Sequence, residues 1–434
     1  MQYYSTKDKH TKADFPQAVF QSLPPDNGLY MPEKLPRLEE AFIKKLGGFS
    51  FPEIAFRVAS ALLEEAISAS RLREIIDEAV NFPAPAVPLG KDTYVLELFH
   101  GPSLAFKDFG ARFMSRVMAY FLEQQTRPLD ILVATSGDTG GAVALGFYDV
   151  PHIRVTILYP SGKVSPVQEQ QLTTLGKNIR ALEVKGSFDD CQRLVKQAFL
   201  DPELSKTLQL SSANSINIAR LIPQTFYYFH AWAQLQQAGH TAPPVFSVPS
   251  GNFGNLTAGV MAWKMGLPVA RFVASTNVND EVPVYLRTGV FEPRPSLHTL
   301  SNAMDVGNPS NFARLLELLG GAEDMGGLLS GYSFTDEATR EAIRSVFTQH
   351  GYVMCPHTAV AYLGLQEFRR ESGTGNPGVF LSTAHPCKFP DVYETDMQPA
   401  IVLPEQLASL NGKQKQAVVM ENDFSQLKEI LLRG

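Results

Sequence analysis

The sequence predicts an α/β fold of open sheets layered with helices, and three observations carry that prediction. Short apolar runs alternate with longer segments whose apolar residues recur every three to four positions. Several of the runs end in glycines and small polar residues just before a helical pattern opens. At 434 residues, 44% hydrophobic and 19% charged, the chain is globular and long enough for two or three lobes.

Taken in order, Phe15, Ala18, Val19 and Leu23 predict a short helix, closed by the turn Pro24-Pro25-Asp26-Asn27-Gly28, with 29–32 extended. Residues 52–82 read as helical, with Ile54, Val58, Leu62, Leu72, Ile75, Ile76 and Val80 inward, and a proline-rich link over 82–88 closes this first region. An apolar strand over 94–99 stops at His100-Gly101-Pro102, and a helix opens near 103–108 with Phe109, Phe113, Val117 and Phe121 on one face. Strands follow at 130–135, 154–159, 179–184 and 245–248, and helices begin at 136–143 and span 166–175, 188–199, 217–237 and 256–265. Two Gly-Gly pairs mark 320–331 as a mobile surface loop. A capped helix over 335–350, a last core strand at 377–383 with a turn at 384–389, and a short amphipathic helix at 424–432 complete the chain. The expected organisation is an N-terminal region over 1–85, a core over 86–385 and a C-terminal extension over 386–434.

Composition narrows the function. A net charge of −6 argues against a general nucleic-acid binder, and no run of about 18 apolar residues spans a membrane. The first residues lack an apolar signal core, so the expected location is the cytoplasm. Three separated cysteines, Cys191, Cys355 and Cys387, form neither a CxxC pair nor a disulfide framework, and the nine histidines contain no HExxH; no metal is expected.

Lys107 is the candidate reactive group. It sits near a predicted helix start between Phe106 and Phe109, where the helix dipole and apolar neighbours both disfavour its charged form. A lysine that can be neutral near pH 7 suits Schiff-base chemistry and proton abstraction, although a snorkelling surface lysine fits the same local pattern. Ser250-Gly-Asn-Phe-Gly-Asn255, between a strand and a helix, suits a phosphate cradle or a plain tight turn, and matches neither the dinucleotide fingerprint nor the P-loop. Thr135-Ser-Gly-Asp-Thr-Gly140 could hold a carboxylate or second phosphate through Thr135, Ser136 and Thr139, or could simply cap its helix. Thr383, at the carboxyl end of a strand, lies where open α/β sheets bind ligands, and a hydroxyl bonded to backbone is the alternative. Lys163, Asn214, Asn217 and Arg220 are polar or basic groups at strand ends, suited equally to anion capture and to capping or solvation.

In combination and in this order, Pro102-Ser-Leu-Ala-Phe-Lys107-Asp, Thr135-Ser-Gly-Asp-Thr-Gly140, Ser250-Gly-Asn-Phe-Gly254 and Ser382-Thr-Ala-His385 resemble the threonine synthase family, in its longer bacterial and fungal branch. The likeness runs over nearly the whole chain and includes Tyr4-Ser-Thr-Lys7, Asn27-Gly-Leu-Tyr-Met-Pro32 and Thr276-Asn-Val-Asn-Asp280. It implies a tryptophan-synthase-β-like (fold type II) enzyme of two open α/β lobes and a small N-terminal region, with pyridoxal 5'-phosphate between the lobes. Lys107 would carry that cofactor as a Schiff base and shuttle protons. Gly251, Asn252, Phe253, Gly254 and Asn255 would hold its phosphate, and Thr383 would bond its ring nitrogen. Thr135, Ser136 and Thr139 would take the substrate carboxylate, and Lys163, Asn214, Asn217 and Arg220 are candidates for the substrate phosphate.

The implied reaction converts O-phosphohomoserine and water to threonine and phosphate: Lys107 removes the α-proton, a β-proton leaves, phosphate departs from Cγ and water adds at Cβ. Asp138 stands where related enzymes often have an asparagine that bonds the cofactor's ring hydroxyl, and the resemblance makes it a further cofactor-binding candidate. Gln21-Ser-Leu-Pro-Pro25 departs from a more usual glycine, far in sequence from the motifs and with no expected consequence for mechanism. The implied partners are a small-molecule substrate and no nucleic acid or membrane, in a monomer or homodimer. The rival readings are a sister lyase of the same fold (a phospholyase, a serine/threonine dehydratase or a sulfhydrylase) and a pyridoxal-phosphate binder without catalysis.

Overall fold

The computed structural model describes every residue except 64, 124, 126, 411 and 434. Near the N-terminus, strands Lys12–Ala13, Tyr3–Ser5 and Tyr30–Pro32 form, in that order, a small antiparallel sheet. Helix Phe15–Gln21 begins where Asp14 and Gln17 cap each other reciprocally and Pro16 occupies the first turn. The helical pattern over 52–82 resolves into two helices, Phe51–Leu63 and Ala69–Ala79, packed on each other, with Ser68 in an extended conformation restarting the second.

Two larger sheets carry the rest. The six-stranded sheet runs Leu329–Ser333, Arg271–Thr276, Val245–Pro249, Gly378–Ser382, Thr93–Glu97, Ala86–Gly90, parallel throughout except for its last strand. The five-stranded sheet runs Ala417–Glu421, Ile179–Lys185, Ile153–Pro160, Leu129–Ala134, Gln209–Ser212 and is wholly parallel. Helices cover the faces, which is why strands such as Leu129–Ala134 and Gly378–Ser382 are buried at every residue.

Two expectations change. Residues 320–331 are not a free loop: they form helix Ala322–Gly326 and enter edge strand Leu329–Ser333. Gly331 is there because a Cβ would lie 2.9 Å from Pro283 Cα, a packing demand that mimics a loop signal. The helix over 217–237 is broken into Ile218–Leu221, a 3₁₀ turn Ile222–Thr225 and Phe226–Gln237, because Pro223 brings no N–H to the ladder. The C-terminal segment is built into the five-stranded sheet, with helix Phe424–Leu432 resting on helix Phe188–Leu200. No helix among the described residues is long and apolar enough to cross a membrane.

Candidate active site

Carboxyl ends of parallel strands from both large sheets converge on one cavity, lined by Lys107, Asp138, Thr139, Arg220, the 251–255 loop and Thr383 among others. Lys107 is set there by backbone pairing. The chain after strand Thr93–Glu97 lies along the chain leaving Gly378–Ser382: Phe106 N–H donates to the Thr383 carbonyl (2.9 Å) and His385 N–H to the Leu104 carbonyl (3.0 Å). Helix Lys107–Leu122 starts at the next residue. Burial pushes the Lys107 amine down to about 8; the Asp138 carboxylate opposes this, while the Lys388 and Arg220 cations add to it.

The 250–255 loop links strand Val245–Pro249 to helix Gly254–Lys264. Phe253 takes a left-handed backbone (φ 59°) and turns the chain so that the helix N-terminus faces the cavity. Gly251 has no room for a side chain, since a Cβ would lie 2.7 Å from Met304 Cα and 2.9 Å from the Ala303 carbonyl oxygen. Asn252 is fixed by Ser310 N–H, which donates to its Oδ1 at 3.0 Å. Asn255 accepts the hydroxyls of Tyr227 (2.8 Å) and Tyr228 (2.7 Å) on Oδ1, while its buried Nδ2 has no protein partner. A buried donor without a protein partner beside a helix N-terminus is suited to holding an anion.

The 135–140 loop follows strand Leu129–Ala134 and opens helix Asp138–Phe147. The Thr135 hydroxyl accepts from Gly137 N–H (3.0 Å) and Gly140 N–H (2.8 Å), so it organises the loop from within. Gly137 holds φ 140°, open to glycine alone, and its Cβ would strike Gln168. Ser136 lines a neighbouring cavity and Thr139 lines both. The Asp138 carboxylate is taken up by the buried Lys388 ammonium (2.6 Å) and the Gln168 amide (3.0 Å), which with Lys107 hold it far below the usual carboxylate range despite burial.

The neighbouring cavity, of about 480 Å³, shares Thr139, Ser215 and Asn252 with the first. Asn214, Lys196 and the Gln21–Pro25 stretch line it, so the segment expected to lie apart from the chemistry walls the approach to it. The other anion candidates separate. Arg220 lines the lysine cavity, buried, with Nε unpaired. Asn217 is fully buried as scaffold: its amide donates to Val19 O and Ser22 Oγ (both 2.8 Å), and its Oδ1 caps Ala219 N–H. Lys163 is exposed and lines neither cavity. Residues not anticipated from sequence include Lys388, Ser215, Gln224, Met304 and His357, whose Nε2 accepts Ala303 N–H at 3.2 Å. Of these only Lys388 had a signal, the unusual Asp138, which needs a cation when buried.

Three family profiles match the chain: a pyridoxal-phosphate dependent enzyme over 80–383, a threonine synthase N terminus over 2–80 and a threonine synthase C-terminal segment over 358–431. A threonine synthase from Serratia marcescens is 44% identical over 432 residues, covering 100% of this chain and 99% of its own. The crystal structure of threonine synthase from Escherichia coli superposes with a TM-score of 0.91 at 43% identity, over all of both chains. The crystal structure of PLP-bound threonine synthase from Brucella melitensis gives 0.91 at 35% identity, over 100% of this chain and 99% of that one.

Proposed function

This chain belongs to the threonine synthase family of pyridoxal-phosphate enzymes, and from that premise we propose which of its residues do which work. The reaction converts O-phospho-L-homoserine and water to L-threonine and phosphate. The observation that carries the assignment is that Lys107, of lowered pKa, shares one cavity with the 251–255 loop and the buried Asn255 Nδ2, which has no protein partner.

The residues fit the cofactor. Asn255 Nδ2 and the N–H groups of 251–255 supply donors for its phosphate, Thr383 stands at the strand end for its ring nitrogen, and Lys107 supplies the amine. When bound, pyridoxal phosphate supplies an aldehyde carbon that joins to an amine and a ring that withdraws electrons from the adjoining carbon. Lys107 would be the amine that holds the cofactor, and its nitrogen, facing the same cavity, would be the group that moves the substrate's α-proton. At a pKa of about 8, about a tenth of Lys107 is neutral at pH 7, against about one in three thousand for an unperturbed lysine. Ser136 and Thr139 receive the substrate carboxylate on the loop that Thr135 braces. Asn214 and Arg220 face the substrate phosphate; Lys163 is too exposed for it, and Asn217 serves by holding the 212–220 segment in place. Three buried free thiols suit the reducing cytoplasm, and a monomer or homodimer is the assembly we propose.

Product analysis tests this reading. With pyridoxal phosphate and O-phosphohomoserine the protein is expected to release threonine and phosphate in equal amounts, and Lys107→Ala to lose at least about a thousandfold in turnover. Phosphate with 2-oxobutyrate would instead make it a lyase, and an active Lys107→Ala would remove the lysine from the chemistry.

A further inference from the structure

Asp138 and Lys388 form, among the described residues, the one ion pair with both side chains buried (5% and 0% exposed). Lys388 comes from the turn Pro386–Lys388 after strand Gly378–Ser382; Asp138 comes from the first turn of a helix on the other large sheet. The ammonium also donates to the Ser103 carbonyl (2.8 Å), four residues before Lys107. A buried ion pair adds little stability over a packed apolar pair, because desolvation consumes most of the attraction. This one sits where Asp138 lines the cavity of the reactive lysine.

We propose that Lys388 is a positioning residue for Lys107: by occupying the Asp138 carboxylate it keeps that carboxylate from pairing with the Lys107 nitrogen, so the two buried charges act as a matched unit. Unpaired, Asp138 would be the nearest counter-ion for Lys107 and would hold its proton in place. Asp138 raises and Lys388 lowers the Lys107 pKa, so the members of the pair act on it with opposite sign. The remaining charged and titratable groups are compatible with this. Arg220, from helix Ile218–Leu221, adds a second cation; His357, from helix Pro356–Ser372, is pushed down to about 4 by burial and is neutral; Gln168 is uncharged. Asp108 accepts Ser103 N–H and lies within reach of the Lys388 cation, and burial pushes its carboxyl up to about 6; His385 and Cys387 flank Lys388 with burial favouring their neutral forms. The pair thus explains why an aspartate is tolerated where an uncharged amide would serve: the carboxylate arrives with its own cation.

The test is a charge cycle read in the holoenzyme by the pH midpoint of its visible cofactor band, which follows protonation of the nitrogen that Lys107 contributes. Lys388→Met is expected to raise that midpoint by about 1 unit or more, and Asp138→Asn to lower it by a similar amount. The double variant, without either charge, is expected to return close to the wild-type midpoint. A purely structural role predicts no such cancellation, because the double variant still lacks the bond to Ser103. Equal-direction shifts, unmoved midpoints in both single variants, or a double variant as displaced as either single one would overturn the proposal. Should Lys388→Met fail to fold or retain cofactor, the comparison of Asp138→Asn with the double variant carries the same decision: no return toward wild type overturns it. The inference rests on Lys107 being the cofactor lysine, and Lys107→Ala measured alongside separates the two. If Lys107→Ala keeps the same band, the lysine assignment fails; if only the cycle fails, the assignment stands and the role of Lys388 falls.

Discussion

Ser22 adopts a positive φ of 62°, a region that costs a side-chain-bearing residue about 1–2 kcal/mol. Its hydroxyl offsets that cost. It donates to the Ser212 carbonyl (2.9 Å), accepts from Asn217 Nδ2 (2.8 Å) and Ser212 N–H (3.1 Å), and meets Ser211 Oγ (3.0 Å), all in buried surroundings. Ser22→Ala keeps the strain and loses the bonds, so urea unfolding is expected to show a loss of about 1–3 kcal/mol. Ser22→Gly loses the same bonds but relieves the strain, and is expected to be about 1 kcal/mol better than Ser22→Ala. Equal stabilities would mean that the backbone there carries no strain. At this scale the sequence was informative about groups inside contiguous motifs, Lys107 and Asn255 above all. It pointed to Lys388 only indirectly, through the unusual Asp138, because a lone lysine after a proline turn has no periodic or spacing signature. It left Asn217 open between anion capture and capping, because the groups that take up its amide, Val19 O and Ser22 Oγ, are far away in sequence.

Among elements, the 250–255 loop shows how a tight backbone approach fixes a site. Gly251 lies against the 303–304 backbone, and that segment is held by a network in which Asp305 accepts from Asn277 Nδ2 (2.9 Å) and the Thr299 hydroxyl (2.7 Å). Neither side can yield without breaking buried hydrogen bonds, so Gly251→Ala is expected to cost about 1–3 kcal/mol. If the strain falls on the cofactor-binding geometry, affinity for pyridoxal phosphate in an absorbance titration drops about 10- to 100-fold; unchanged affinity would show that the 303–304 segment moves aside freely. The elements that escaped sequence reading share a physical cause. Helix Pro356–Ser372 lies on the six-stranded sheet, with eight of its first ten residues buried and Gly364 pressed against Ser275. A helix buried so widely has no polar face to set against an apolar one, and periodicity then gives no signal. Helix Asp336–His350, with one wet face, was legible for the opposite reason, and Lys107–Leu122, which exposes no residue, was legible through the spacing of Phe109, Phe113, Val117 and Phe121.

For the whole molecule, the question is whether the N-terminal region is an appendage or part of the site, and Arg314 decides it. Its buried guanidinium donates to the Tyr30 carbonyl of the N-terminal sheet (2.9 Å), to the Ile216 carbonyl (2.7 Å) and to Asn311 Oδ1 (2.7 Å). Ser215, beside Ile216, lines both cavities, and Asn311 N–H donates to the carbonyl of Asn252 in the anion cradle (3.3 Å). One side chain therefore joins the N-terminal sheet, the substrate-side wall and the cradle. Arg314→Met leaves those carbonyls buried and unpaired, and is expected to cost at least about 2 kcal/mol in stability and about tenfold in cofactor affinity. Leu427→Ala is the matched comparison: it is buried in the core between helices Phe424–Leu432 and Phe188–Leu200, and is expected to cost about 2–5 kcal/mol. It touches none of the cradle's supports, so at a temperature where the variant is folded its cofactor affinity should stay at the wild-type value. Denaturant unfolding and cofactor titration on the two variants make the distinction. If Arg314→Met lost stability alone, as Leu427→Ala is expected to, the N-terminal region would be fastened to the catalytic lobes without shaping their site.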